Sequence, residues 1–114
     1  MIDPSPLRAL ERDMGRDAAV DLLRRFLADA REHLEAISAA RRAGDPAAVR
    51  MPAHALTSTC ATFGLTRMVD LARLADDAGR AGDRTALAWA DALLRVAADD
   101  LPQLEGLAPE LRNG

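Results

Sequence analysis

Apolar residues recur at steps of three and four along most of this 114-residue chain, the spacing of one face of an α-helix. The longest stripe is Val20, Leu23, Leu27, Ala30, Leu34 and Ile37, widened by Phe26, with Arg24, Arg25, Arg31, Glu32, Glu35, Arg41 and Arg42 on the other side. It predicts a helix over 17–43, capped by Asp17 and stopped by Gly44. Ahead of it, Leu7, Leu10 and Met14 predict a short helix opened by Ser5-Pro6, closed by Gly15 and packed across the others as a lid. Asp45-Pro46 opens a third helix with the stripe Val49, Ala53, Leu56, Cys60 and Phe63, ended by Gly64. Pro52 lies inside it, lacks an amide hydrogen and crowds the carbonyl of Ala48, so a kink is expected there. Thr66 opens a fourth helix with Met68, Leu71, Ala72, Ala75 and Ala78 inward and Arg67, Asp70, Arg73, Asp76 and Asp77 outward, closing at Gly79 and Gly82. Asp83 opens a fifth, with Leu87, Ala90, Leu94, Ala97, Ala98 and Leu101 inward, weakened at Pro102 and stopped by Gly106.

Four amphipathic helices joined by turns of two or three residues favour antiparallel neighbours. The expected fold is all-α: an up-down-up-down antiparallel four-helix bundle with a short extra N-terminal helix. One domain over 1–106 is expected, with 107–114 as a frayed tail. Composition agrees, since Ala and Leu dominate, Tyr is absent and only three residues are aromatic, which favours helix over sheet. The net charge of −3 gives nucleic-acid binding no electrostatic support. No apolar run reaches the length of a membrane span and no signal peptide is visible, so a cytoplasmic protein is expected. A single cysteine, Cys60, forms no internal disulfide and lies on an apolar stripe, as a core residue does.

The candidate chemistry centres on His54. On a helical wheel it lies roughly 140° from the centre of its helix's apolar stripe, so it points away from the core. Its neighbours on that face, Ala47, Ser58 and Ala61, are small and leave the imidazole open to close approach. A neutral imidazole nitrogen carries a lone pair and can attack an activated phosphoryl group without a separate base. The bland alternative is an ordinary exposed helix histidine. The other histidine, His33, stands beside Glu32 with no motif around it, and two histidines and one cysteine make no metal-ligand spacing. No glycine-rich phosphate loop is present, so ATP binding is not expected. Trp89 lies off its stripe and receives no role.

The stretch Ala53-His54-Ala55-Leu56-Thr57-Ser58-Thr59-Cys60-Ala61-Thr62-Phe63-Gly64 resembles the histidine-containing phosphotransfer (HPt) family. Ala53, His54, Leu56, Thr59 and Gly64 match its pattern, and Thr62-Phe63-Gly64 looks like the variant found in chemotaxis kinases. The likeness covers roughly residues 17–83. It implies a helical bundle that accepts a phosphoryl group on His54 from the phospho-aspartate of a response-regulator receiver domain, with a second receiver or a sensor or hybrid histidine kinase completing the relay. It implies no cofactor of the chain's own, magnesium being supplied by the receiver, and a phosphotransfer intermediate rather than a stand-alone catalyst. Two positions depart: Thr57 stands where the family has lysine and Ser58 where it has glycine. The chain has no lysine at all against 15 arginines, so Arg50, one turn before His54, is a candidate to supply the cation. Ser58 has room to hydrogen-bond the ring or the phosphoryl group. Met51, Ala55 and Ala61 are expected to border the partner contact, and a core complete in one chain suggests a monomer. The departures leave a second reading open, a degenerate HPt-like adaptor that binds a receiver or kinase without transfer. A third is an unrelated helical interaction protein.

Overall fold

In a computed structural model, residues 2–109 are described, and they form five helices and no strand. They are α1 (Ser5–Met14), α2 (Arg16–Ala43), α3 (Pro46–Thr62), α4 (Thr66–Arg80) and α5 (Thr85–Gly106). The helices share one apolar core, in which Leu23, Ile37, Val49, Leu56, Met68 and Leu93 are fully buried. The α1 helix contributes Leu7 to it. Contacts run in opposite directions along two helix pairs. Pro46 and Arg50 meet Gly79 near one end of the α3–α4 pair, whereas His54 meets Asp76 further along. Between α2 and α5, Arg31 pairs with Glu105 and Arg41 with Asp91. Both pairs are therefore antiparallel.

Helix starts differ from the sequence expectation in instructive ways. Ser5 is the first residue of α1, not its cap: Pro4 takes that place, and the Asp3 carboxylate accepts the Ser5 amide at 2.9 Å. That bond holds the Asp3 carboxyl below the usual carboxylate range. Gly15 ends α1 and also precedes α2, so Asp17 moves into the first turn, where its charge still faces the positive helix end. Asp45 does cap α3, accepting from the Ala48 amide at 3.3 Å. Thr66 makes no capping bond, because the residue before α4 is Leu65, buried in the core. Asp83 accepts the Thr85 amide, which lowers its pKa, although Arg84 occupies the cap position.

Two inner faces are rotated relative to the stripes expected. In α4, Val69, Asp76 and Gly79 are buried, while Leu71 and Ala78 are only half-buried. In α5, Ala86, Leu93 and Asp100 are buried, and Ala98 is exposed. The stripes sought only apolar residues, and each true face contains one aspartate. Pro52 and Pro102 do not break their helices, since α3 and α5 run through them. Gly79 lies within α4 and does not close it. Of the expected tail, Ala108 is buried, and residues 110–114 lie outside the described residues.

Candidate functional site

His54 stands at mid-length of α3 with its side chain 65% exposed. Its Nδ1 is 2.9 Å from Oδ2 of Asp76 on α4. A buried carboxylate accepts hydrogen bonds and does not donate them, so Nδ1 carries the proton and donates it. The lone pair is then on Nε2, the ring nitrogen on the far side from Asp76. Residue and carboxylate thus fix both the orientation of the ring and its tautomer.

Asp76 itself is 6% exposed. Its Oδ1 accepts no hydrogen bond from the described residues. Two guanidinium groups stand beside that oxygen, Arg80 Nη2 at 3.5 Å and Arg50 Nε at 4.0 Å. They balance its charge without hydrogen-bonding it. A buried carboxylate with an unused acceptor is costly, and such groups concentrate where a site needs them.

The position of Asp76 depends on how closely α4 approaches α3. Gly79, one turn further along α4, marks the contact: a Cβ there would sit 2.9 Å from the Pro46 carbonyl oxygen and 3.2 Å from the Arg50 amide nitrogen. Only glycine lets the two backbones come so near. At the other end of the pair, Gly64 turns the chain from α3 into α4 with φ of +69°, and Pro6 of α1 lies against it, 2.6 Å from where a Cβ would stand.

The residues singled out by sequence fall as follows. Arg50 flanks His54 on the α4 side, with its guanidinium turned to Asp76. Thr57 donates its hydroxyl to the His54 carbonyl oxygen at 2.7 Å, so that hydroxyl serves the backbone. Ser58 and Ala61 are exposed, Ala55 is half-buried, and Met51 is 69% exposed. A shallow apolar groove of about 230 Å³ lies between α2 and α3, lined by Leu22, Phe26, Thr59, Thr62 and Phe63 among others. His33 is half-buried on α2, apart from the His54–Asp76 pair. Cys60 is fully buried, and burial together with the negative charge of Asp100 pushes its thiol up to about 12. No three potential ligands cluster as a metal site among the described residues, and no described helix is long and apolar enough to cross a membrane.

Asp76 was missed by the sequence reading, which placed it outward with Asp77. The sequence does carry a faint signal. Asp76 follows Met68, Val69, Ala72 and Ala75 at steps of one to four, on the flank of α4 that Gly79 shares.

The class of protein follows from this arrangement: a helical bundle that presents one exposed histidine, its ring oriented from behind by a buried carboxylate. The Hpt domain family matches residues 21–113, so the chain belongs to that family, which acts in phosphotransfer of two-component signalling. No curated protein and no solved structure matches the chain significantly.

Proposed function

We propose that this chain is an active phosphotransfer protein that relays a phosphoryl group through His54 between response-regulator receiver domains, or from a hybrid kinase to a receiver. The observation that carries the reading is the His54–Asp76 hydrogen bond at 2.9 Å. It leaves Nε2 unprotonated and exposed, which is the form a phosphoryl acceptor needs.

In the step proposed, the Nε2 lone pair attacks the phosphorus of a receiver's acyl phosphate. The Nε2–P bond forms as the bond from phosphorus to the aspartyl oxygen breaks, and the electron pair leaves on the receiver's carboxylate. No proton moves. The ring keeps its Nδ1 hydrogen and becomes a phosphorylated imidazolium, whose positive charge the Asp76 carboxylate faces directly. The same proton on Nδ1 keeps the ring a good leaving group, so the phosphoryl group passes on by the reverse step. This chain needs no cofactor of its own, and the metal ion that polarises the phosphoryl group belongs to the receiver.

The partner surface in this reading is the His54 face of α3 with the adjoining turns of α2. Met51, Ala55 and Ala61 border the histidine, and the Leu22–Phe63 groove continues the apolar rim. Ser58 is small enough for a receiver to approach the ring. Thr57 holds the backbone of His54, and Arg50 acts through the charge of Asp76. The four long helices are taken as one up-down-up-down bundle over 1–106, acting as a cytoplasmic monomer, an arrangement that the antiparallel α3–α4 and α2–α5 pairs support.

The adaptor reading rests on Thr57 and Ser58 in place of lysine and glycine. The acceptor geometry of His54 disfavours it, since an adaptor has no need of a fixed tautomer. The test is incubation with a panel of phosphorylated receivers, read by intact mass and acid lability, beside His54→Ala. An acid-labile phosphoryl group on the parent and none on the variant is expected. Receiver binding without transfer would establish the adaptor instead.

A further inference from the structure

Phosphorylation of His54 places up to two negative charges on Nε2, on the solvent side of the ring. Three arginines lie within about one helical turn of His54 or Asp76 on the α3–α4 pair: Arg50 on α3, and Arg73 and Arg80 on α4. Arg50 and Arg80 are both within 4.0 Å of the Asp76 carboxylate. Arg73 is exposed and makes no ion pair or hydrogen bond among the described residues. It precedes Asp76 by three residues, which puts it about 60° round the helix and about 4.5 Å along it, on the flank of α4 that borders α3. Because the helices are antiparallel, moving from Asp76 to Arg73 follows α3 from His54 towards Thr57. Helix geometry therefore places Arg73 at the level of Thr57, which carries no charge and whose hydroxyl is already used.

We propose that Arg73 is the phosphoryl-binding cation of this site, reaching from α4 to the phosphoryl oxygens once His54 is loaded; the proposal deepens the phosphotransfer reading and rests on it. The acidic groups closest in sequence on α4 are Asp70, three residues before Arg73, and Asp76 and Asp77, three and four after, and none of them pairs with it. A guanidinium offers several donors in a plane and suits two phosphoryl oxygens at once. No existing pair has to be broken to recruit it. Arg50 and Arg80 are already directed to Asp76, and drawing either to the phosphoryl group would leave that buried carboxylate less compensated.

The test loads His54 chemically with phosphoramidate, in a His33→Gln background so that one site carries the label. Nε2 displaces ammonia from phosphorus, the N–P bond of the reagent breaking as the new one forms. The phosphoryl titration is then followed by ³¹P NMR in the parent, Arg73→Gln, Arg73→Lys and Arg84→Gln. Loss of a contacting cation disfavours the phosphoryl dianion. Arg73→Gln is expected to lower the dianion-forming constant about threefold, as one solvent-exposed charge contact allows. Arg73→Lys is expected to restore most of it, and Arg84→Gln to change nothing. No change in Arg73→Gln, or an equal change in Arg84→Gln, overturns the assignment. Phosphoramidate needs no receiver, so failure of this contact is read separately from failure of the relay, which shows as absent transfer from every phosphorylated receiver.

Discussion

Two aspartates are buried in this bundle, and they are treated in opposite ways. Asp100, on α5, is 1% exposed and is closed off by Arg67 of α4, which also reaches Asp99. The hydrogen bond to Asp100 is the main reason that the Arg67 pKa rises. Asp76, on α4, has one oxygen bonded to an exposed histidine, while the other accepts no hydrogen bond among the described residues. Its arginines stand off at 3.5 and 4.0 Å. The first arrangement joins α4 to α5 at the end of the bundle where α1 also docks, with Oδ1 of Asp100 held directly by the Arg67 guanidinium. The second leaves capacity unused beside an exposed ring. A buried carboxylate bonded directly to an arginine of the neighbouring helix reads as a fastener; one whose arginines stand off and whose hydrogen bond goes to an exposed imidazole reads as part of a site.

The strongest way to break this comparison is to remove Arg67. Arg67→Ala leaves the Asp100 charge buried without its partner, and the protein should lose stability clearly. Urea unfolding followed by far-UV circular dichroism measures it, with phosphoryl acceptance at His54 unchanged in the folded fraction. An unchanged urea midpoint would show that Asp100 is not held by this arginine.

The second effect comes from Cys60, which lies at the Asp100 end of the molecule. Burial first, and then the Asp100 charge, raise its thiol from the ordinary 9.0 to about 12. The folded state therefore holds the proton where the unfolded chain releases it. Stability from this source is complete below pH 9.0 and is lost as the pH climbs towards 12. The chain has neither lysine nor tyrosine, so no other side-chain type titrates within that window. Parent protein should lose about 2 kcal/mol between pH 8.5 and about 11, at 1.36 kcal/mol per unit, and Cys60→Ala should show a flat profile from its own lower baseline. An equal decline in both would remove Cys60 as the cause.

How much of this was legible in the sequence depends on what each residue's burial requires. The helices were readable because apolar burial repeats at the helical period, and Leu23, Leu27, Ala30, Leu34 and Ile37 line one face as their spacing demands. His54 was readable because an imidazole opposite such a stripe has to be exposed. Asp76 and Asp100 were not, because a search for apolar repeats assigns every aspartate to water. Their burial is decided by partners on other helices, His54 across α3–α4 and Arg67 across α4–α5, which no single helix reveals. The same blind spot turned the inner faces of α4 and α5 away from their true centres. Capping failed at Thr66 for a related reason, since burial of Leu65 set the start of α4.

The smallest effect is the sharpest, because it separates the two aspartates by kind. Asp76→Asn preserves size and can still accept the Nδ1 hydrogen through its amide oxygen, but it removes the negative charge that faces the phosphorylated imidazolium. The expected cost is about 1.4 kcal/mol in the transfer barrier, or about tenfold in rate, and little or none in folding. Stability can even rise slightly, since a buried charge with one unsatisfied oxygen disappears. Asp100→Asn should do the reverse, lowering the urea midpoint while leaving the rate of transfer to His54 unchanged. The two variants, measured in the same pair of assays, form a cross. If Asp76→Asn loses as much stability as Asp100→Asn and transfers at the parent rate, both aspartates are fasteners, and the exposed histidine owes nothing to the carboxylate behind it.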